Sequence, residues 1–209
     1  YQGDLFGAFD NSGGMLYRSR IHYGTSPSKK FVMAPTLRSH KSSPTSDSER
    51  RRDQNAPVWR NPHTVERKRR FAVSLSTLAA KPEKRRSIIK EGAIAVLLKL
   101  SAMRDRQTMA SCSQAFYNLA LEPELRKDII RAGAVPTLIA LMMSPLRKIK
   151  IDCALTLCNL AACPGMEAHL VQDGLVPALV SLSSVTVQLM HIAIMALLNL
   201  SCVDKPYQK

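Results

Sequence analysis

Cysteine and histidine are the side chains of this 209-residue sequence that offer metal-binding or nucleophilic chemistry. Such sites need these residues at short, regular spacings, for example in paired CxxC motifs. The sequence contains no CxxC pair, and the two histidines of its apolar half, His169 and His191, stand alone. It also lacks a nucleophile elbow, a glycine-rich phosphate loop and paired carboxylates. We therefore expect a non-enzymatic protein without a catalytic residue, metal or cofactor.

The cysteines have the placement of small core residues. Five are present, all in the apolar half: Cys112, Cys153, Cys158, Cys163 and Cys202. An odd number inside helical patterns is typical of reduced thiols in a cytosolic protein. No apolar run approaches the roughly 18 to 20 residues of a membrane span, and the first 30 residues contain no apolar signal core. The sequence thus predicts a soluble, cytoplasmic protein with no membrane span.

Two motifs recur at a fixed period in the apolar half. A glycine-led apolar motif begins at Gly92, Gly133 and Gly174, with steps of 41 residues. A second motif ends in Asn-Leu followed by Ala or Ser, and its asparagines step by 41 and then 40 residues. Its members contain Asn118, Asn159 and Asn199. Periods of this length are the signature of repeat architectures, in which each unit stacks on its neighbours.

Proline and glycine divide each period into helices. Pro82, Pro123 and Pro164 stand where a first helical turn tolerates proline, and the glycines about ten residues later suit a helix C-terminus. An apolar run of about nine residues follows each glycine, then a polar break, then a longer stretch with apolar spacing near 3.6. Each repeat therefore reads as a short, a medium and a long helix, which predicts an all-α, right-handed solenoid.

These motifs resemble the armadillo repeat family, whose second helix carries G-A-(I/V)-P-x-L-(I/V) and whose third carries A-L-x-N-L-(A/S). The resemblance covers about residues 71–203. It implies an armadillo-type solenoid of three to four three-helix repeats. The composition of the residues before it predicts a long, extended, basic N-terminal tail. We expect the following divisions: tail 1–61, repeat domain 62–209, partial repeat 62–81, and repeats 82–121, 123–162 and 164–203.

The resemblance also implies that the third helices line a groove, in which the recurring asparagines hold the backbone of an extended partner. An Asn amide donates to C=O and accepts from N–H together, so Asn118, Asn159 and Asn199 suit this role. The alternative is that these asparagines only bond to neighbouring helices and loops. The importin-alpha branch of the family places a Trp four residues before each Asn. Here those positions hold Gln114, Leu155 and Met195.

The missing tryptophans disfavour a nuclear-import receptor. The third helices are nearly uncharged over 111–121 and 152–162, which also disfavours the lysine-lined groove of the beta-catenin branch. We expect a neutral, partly apolar groove for an amphipathic helix or an apolar-anchored peptide. Leu197, Leu198 and Leu200 end the last predicted helix, so further repeats or a partner should cover them. Because the chain starts at Tyr1 without Met, we expect it to be a piece of a longer protein.

The N-terminal third cannot bury a core of its own. Residues 1–70 hold 14 Lys and Arg against 6 Asp and Glu, a net of +8 within a total of +14, and 7 of the 11 aromatic residues. Aromatic side chains between basic clusters suit an extended segment with anchors. The predicted anchors are Tyr17, Tyr23, Lys29, Lys30, Phe31, Arg50, Arg51, Arg52 and Trp59. The alternative is a disordered tail with incidental aromatics.

Such a charge favours an acidic partner surface: tubulin, nucleic acid or anionic lipid. Our first hypothesis is a scaffold that binds proteins through the solenoid and anchors to a large acidic assembly, with tubulin or axonemal proteins of a microtubule or cilium favoured by family analogy. The second is a ribonucleoprotein component, and a third, weaker hypothesis is a nuclear transport adaptor. The run Arg67-Lys68-Arg69-Arg70 is typical of a nuclear localisation cluster or of a solvated helix face.

Overall fold

A computed structural model describes residues 5–9, 15–19, 62–103 and 105–202 of the chain. The first two ranges are strands β1 (Leu5–Phe9) and β2 (Met15–Ser19), which pair antiparallel with Gly7 opposite Tyr17. An extended tail was expected here, so this hairpin is a difference. Its physical reason lies in residues 10–14, Asp-Asn-Ser-Gly-Gly, because this composition between two apolar segments favours a turn.

The predicted short, medium, long order of helices is found in the third full repeat, with 6, 9 and 15 residues, whereas the first two full repeats have helices of 9, 9 and 15 residues. Helices make up the rest of the described chain. They are α1 (Pro62–Ala79), α2 (Pro82–Lys90), α3 (Ala93–Ser101), α4 (Arg106–Ala120), α5 (Pro123–Arg131), α6 (Ala134–Met142), α7 (Arg147–Ala161), α8 (Glu167–Gln172), α9 (Leu175–Ser183) and α10 (Val187–Ser201). The long third helices of the repeats are α4, α7 and α10, and α1 is the third helix of the partial repeat.

Proline and glycine set the helix boundaries as predicted in the first two repeats. Pro82 and Pro123 begin α2 and α5, where the missing N–H has no intrahelical acceptor to lose. Gly92 and Gly133 follow those helices with φ of +84° and +73°, a left-handed conformation that turns the chain into the second helix.

The third repeat departs from the prediction at Pro164, which was expected in a first helical turn. Here α8 begins at Glu167 and has 6 residues, against 9 in α2 and α5. The reason is Gly165, whose φ of +77° interrupts helical geometry directly after the proline. The first helix of this repeat is therefore one turn shorter than its counterparts.

Stacking follows the repeat order. Helix α1 packs against α4, α4 against α7, and α7 against α10, while α6 lies between α3 and α9. The core lies between these packed helices, where Phe116, Leu119 and Leu157 are 0% exposed. Each such side chain contributes about 1.5 to 3 kcal/mol by leaving water. The arrangement confirms the predicted all-α solenoid, and β2 of the hairpin lies against α7.

Buried arginines join the first helices to the preceding repeat. Arg85 of α2 donates from Nε to the carbonyl oxygen of Ala79 at 2.9 Å, and Arg126 of α5 donates likewise to Ala120 at 3.1 Å. Each bond satisfies a carbonyl at the end of a third helix, which has no partner within its own helix. The equivalent position in the third repeat holds Glu167, which instead accepts from the backbone N–H of Gly165 at 2.6 Å. None of the helices in the described ranges is long and apolar enough to cross a bilayer.

Candidate functional site

The predicted groove residues lie in two rows across the third helices. Because α4, α7 and α10 are side by side, positions that repeat with the sequence period are aligned. One row holds Asn118, Asn159 and Asn199, and the row one turn earlier holds Gln114, Leu155 and Met195. We call the surface formed by these six residues the third-helix face. It brings the repeated amides into one line, as recognition of an extended backbone requires.

The three asparagines of this face have different environments. Asn118 is half-buried. Asn199 is 7% exposed and donates from Nδ2 to the carbonyl oxygen of Cys158 at 3.2 Å, so it bonds to the neighbouring helix. Asn159 is 0% exposed, and both its Nδ2 and its Oδ1 are buried without a hydrogen-bond partner. An unsatisfied buried polar group costs about 1 to 3 kcal/mol, so Asn159 destabilises the fold unless something binds it.

The row one turn earlier is mixed in polarity and exposure. Gln114 is exposed, Met195 is half-buried, and Leu155 is 1% exposed. The Oε1 atom of Gln114 accepts from Lys148 Nζ at 3.2 Å, and Lys148 Nζ also lies 3.3 Å from an oxygen of Asp152. Lys148 lies in the first turn of α7, outside the stretch expected to be uncharged. The face is therefore neutral and partly apolar, with one ion pair beside it.

Asp152 is the acidic partner of that ion pair. It is 5% exposed, accepts from Lys148, and has Ser113 Oγ at 3.4 Å. Burial raises the pKa of the Asp152 carboxyl, while the Lys148 ammonium and these hydrogen bonds oppose the rise. Neither residue was among the predicted site residues, although Lys148 and Asp152 have the i, i+4 spacing of a helical ion pair.

Half of the basic cluster at 67–70 is used in ion pairs. Arg69 donates to both carboxylate oxygens of Asp105, from Nε at 3.2 Å and from the terminal nitrogen at 2.8 Å. Arg70 donates to Glu66 at 3.0 Å. Asp105 also caps α4 by accepting from the backbone N–H of Thr108 at 2.9 Å. The Thr108 hydroxyl also donates to Asp105 at 2.7 Å. The Arg69 guanidinium and these two Thr108 bonds lower the pKa of Asp105 from 3.8 to about 2, although burial acts to raise it.

The thiols are placed as core residues. Cys112, Cys153, Cys158 and Cys163 are buried, and Cys202 is exposed. Burial raises the pKa of Cys112 to about 11 and that of Cys158 to about 12, so both stay protonated at neutral pH. His169 and His191 are both exposed. Over the ranges that the structure describes, no three His, Cys, Asp or Glu side chains gather as a metal site would need.

The predicted tail anchors fall almost entirely outside the described residues. Tyr17 lies in β2, opposite Gly7. The others, Tyr23, Lys29, Lys30, Phe31, Arg50, Arg51, Arg52 and Trp59, lie outside the described ranges. At the other end, Leu198 on α10 is 47% exposed, whereas Leu197 and Leu200 are half-buried. The last third helix thus has an apolar side in contact with solvent.

The chain is similar to known armadillo repeat proteins in sequence motif and in fold. The Armadillo/beta-catenin-like repeat family matches residues 122–162. A designed armadillo repeat protein in complex with the peptide (KR)4 is 22% identical with a TM-score of 0.59, over 68% of this chain and 60% of that one. An engineered protein known from a crystal structure is 28% identical with a TM-score of 0.57, over 64% of this chain and 56% of that one.

A natural protein also shares the architecture. The ARO (armadillo repeats only) protein from Plasmodium falciparum is 23% identical with a TM-score of 0.55, over 62% of this chain and 59% of that one. No curated protein matches the sequence. The chain spans less than two thirds of the length of each of these three solved structures.

Proposed function

We propose that this chain, an armadillo-repeat protein by its motif and its solenoid, is a non-enzymatic scaffold that binds an extended segment of another protein on its third-helix face. Armadillo solenoids are typically scaffolds of this kind, and the fold is compatible with protein binding. The observation that carries the proposal is Asn159, whose amide has both polar atoms buried and unpaired. An extended backbone offers the C=O and N–H that this amide needs.

The neighbouring side chains define the partner class. The designed armadillo protein holds (KR)4, an alternating basic peptide. Here Leu155 and Met195 flank the asparagine row with apolar surface, and Gln114 adds a neutral amide. A segment with apolar anchors, in an extended or amphipathic helical form, fits these groups better than a basic peptide does.

Replacing Asn159 separates binding from folding. Asn159→Leu has a similar volume and removes the unpaired amide, so we expect unchanged or higher stability in urea. The same change removes two hydrogen bonds to a bound backbone, worth about 0.5 to 1.5 kcal/mol each. Binding of a peptide selected on the chain from a random library should therefore weaken by about tenfold or more.

The matched control for this test is Gln172→Leu, because Gln172 is an exposed amide on α8, away from the third-helix face. It should leave affinity unchanged when both variants are measured by calorimetry. Equal affinity of the Asn159→Leu chain and the unaltered chain would contradict the proposed role of this amide.

We further propose that the basic tail anchors the scaffold to a large acidic assembly. Residues 20–61 contain 9 Lys and Arg against 3 Asp and Glu, a net of +6, whereas residues 1–19 have a net of −1. The support for this proposal is charge alone. A microtubule or ciliary axoneme in the cytoplasm is the assembly we favour, with tubulin or axonemal proteins as partners; this choice depends on family analogy.

Co-sedimentation with stabilised microtubules, beside RNA binding over a salt series, tests the anchor. Sedimentation that is lost when Arg50, Arg51 and Arg52 are changed to Gln supports the microtubule proposal. Binding to RNA with a log–log salt slope near −0.7 per neutralised phosphate, without sedimentation, would favour the ribonucleoprotein alternative. A nuclear transport adaptor is the weakest alternative, since the tryptophan positions hold Gln114, Leu155 and Met195.

A further inference from the structure

Helices α4 and α7 occupy equivalent places in the stack, but the residues that they contribute to the third-helix face differ in burial. α4 lies between α1 and α7, and α7 lies between α4 and α10, so solenoid packing should bury them alike. Gln114 on α4 is exposed, whereas its counterpart Leu155 on α7 is 1% exposed. Asn118 is half-buried, whereas Asn159 is 0% exposed. Something other than the neighbouring helices must cover α7.

Three further pairs of equivalent positions show the same difference. In each pair the α4 residue is half-buried and the α7 residue is buried: Ala110 and Ile151, Ser111 and Asp152, Tyr117 and Cys158. On α4 the five positions are 110, 111, 114, 117 and 118, which lie on one side of a helix. The cover on α7 is therefore continuous over about two turns of one side.

Strand β2 is the element in the right place to form this cover. Within the described ranges, β2 lies against α7 and belongs to no repeat. It is paired with β1 over five residues, so the element beside α7 is a formed hairpin. An extended strand against the helix that carries this buried side has the geometry expected of an armadillo groove occupant, and it leaves the Asn159 amide without a hydrogen bond.

We infer that strand β2, paired with β1, is an intramolecular occupant of the third-helix face and competes there with partner proteins. This inference rests on the proposed function of that face. The occupant is the near-neutral part of the tail, which matches a neutral, partly apolar surface, while the basic residues of 20–61 remain for another partner. A partner that binds α7 has to displace β2 first.

Tethering makes the competition effective. Ser19 ends β2 and Pro62 begins α1, so 42 residues join them. At about 3.3 Å per residue, 42 residues have a maximum extended reach of well over 100 Å. Because the strand and the solenoid belong to one chain, the strand is held at an effective concentration of up to about a millimolar. The apparent Kd of a partner is therefore its intrinsic Kd divided by the fraction of chains whose face is open.

Thiol labelling of the full-length chain tests the inference. In a Cys202→Ser background, Leu155→Cys places a reporter under the proposed cover, and Gln114→Cys places the matched control on α4. We expect a maleimide to label the Leu155→Cys thiol at least about tenfold more slowly than the control thiol, because an occupied face is open only part of the time. Tyr17→Pro breaks the strand pairing and should bring the two rates together.

Two further controls keep the labelling result interpretable. Ser42→Pro adds a proline outside both strands and should leave the slow rate of Leu155→Cys unchanged. Cys153 is buried, so its continued protection in the Tyr17→Pro chain shows that the solenoid remains folded. If Leu155→Cys is labelled at one rate with and without Tyr17→Pro, while Cys153 stays protected, the inference is overturned.

A competition experiment distinguishes this inference from the proposed function. A synthetic peptide of residues 1–20 should bind the Tyr17→Pro chain about tenfold more tightly than the unaltered chain and protect Leu155→Cys again. If a library-selected peptide binds both chains equally at Asn159, the self-occupancy inference fails and the proposed function stands. If the 1–20 peptide binds and no foreign peptide does, self-occupancy stands and the proposed function fails.

Discussion

Asp105 combines two roles that can be separated by substitution. Its carboxylate caps α4 through Thr108 and holds Arg69 of α1 with two hydrogen bonds. Asp105→Asn keeps an acceptor for the cap, since Asn is as good a cap as Asp, but removes the ion pair between the two helices. Asp105→Ala removes both the cap and the ion pair.

The free energies of unfolding that the ion pair and the cap contribute can be estimated from the structure. The pKa of Asp105 falls from 3.8 to about 2 on folding, a difference that corresponds to about 2 kcal/mol. The side chains of Arg69 and Asp105 are 32% and 18% exposed, so screening reduces this to about 1 to 2 kcal/mol. The lost cap adds about 1 kcal/mol for Asp105→Ala. Because the folded pKa is lowered, the stabilisation is complete above about pH 4 and is lost as pH falls through 2.

Urea unfolding followed by circular dichroism at pH 7 and at pH 2.5 measures these terms. At pH 7 we expect Asp105→Asn to lose about 1 to 2 kcal/mol and Asp105→Ala about 2 to 3. At pH 2.5 the difference between Asp105→Asn and the unaltered chain should shrink. The matched control is Arg70→Met, since Arg70 is 80% exposed and its ion pair should contribute almost nothing. An Asp105→Asn chain with an unchanged urea midpoint at pH 7, or a deficit that persists at pH 2.5, would refute this reasoning.

Three other predictions concern the core, the turns and the thiols. Phe116→Ala should cost about 3 to 5 kcal/mol in urea unfolding, because Phe116 is 0% exposed. Gly133→Ala should cost about 1 to 2 kcal/mol in the same urea unfolding through backbone strain alone, since the φ of Gly133 is +73° and a Cβ there meets nothing within 4 Å. Gly133→Asn should cost less, because Asn tolerates this φ. In the native chain at pH 8, a thiol reagent should react quickly with Cys202, and the raised pKa of Cys112 should keep that thiol slow; a fast Cys112 would contradict its burial.

The repeat could be predicted from the sequence because its signals are local. Pro82 and Pro123 mark helix starts, and Gly92 and Gly133 mark the turns that follow, each through its own backbone preference. The same rule was wrong at Pro164 because the next residue is a glycine with positive φ, and the helix starts three residues later. A single neighbouring residue changed a boundary, while the period stayed readable.

The environments of the site residues could not be predicted, because they depend on distant partners. The asparagines look equivalent in sequence, but Asn199 bonds across 41 residues to Cys158, and Asn159 has no partner. Arg69 and Asp105 are 36 residues apart, and only the stacking of α1 on α4 brings them together. The hairpin did have a local signal, the Asp-Asn-Ser-Gly-Gly segment between strands, but nothing local places β2 beside α7.

The buried arginines of the first helices have a consequence for the order in which the repeats open. Arg85 and Arg126 tie the first two full repeats to the helices before them, whereas Glu167 provides no such bond and α8 is shorter. In a linear array each unit is held by its neighbours alone, so a weaker junction opens at a lower free energy. Amide hydrogens of α10 should therefore exchange with deuterium before those of α4. Under mild native conditions, the solenoid should lose its C-terminal repeat first. The α1–α7 stack, with Leu155 and Asn159 of the third-helix face, should be the last folded unit.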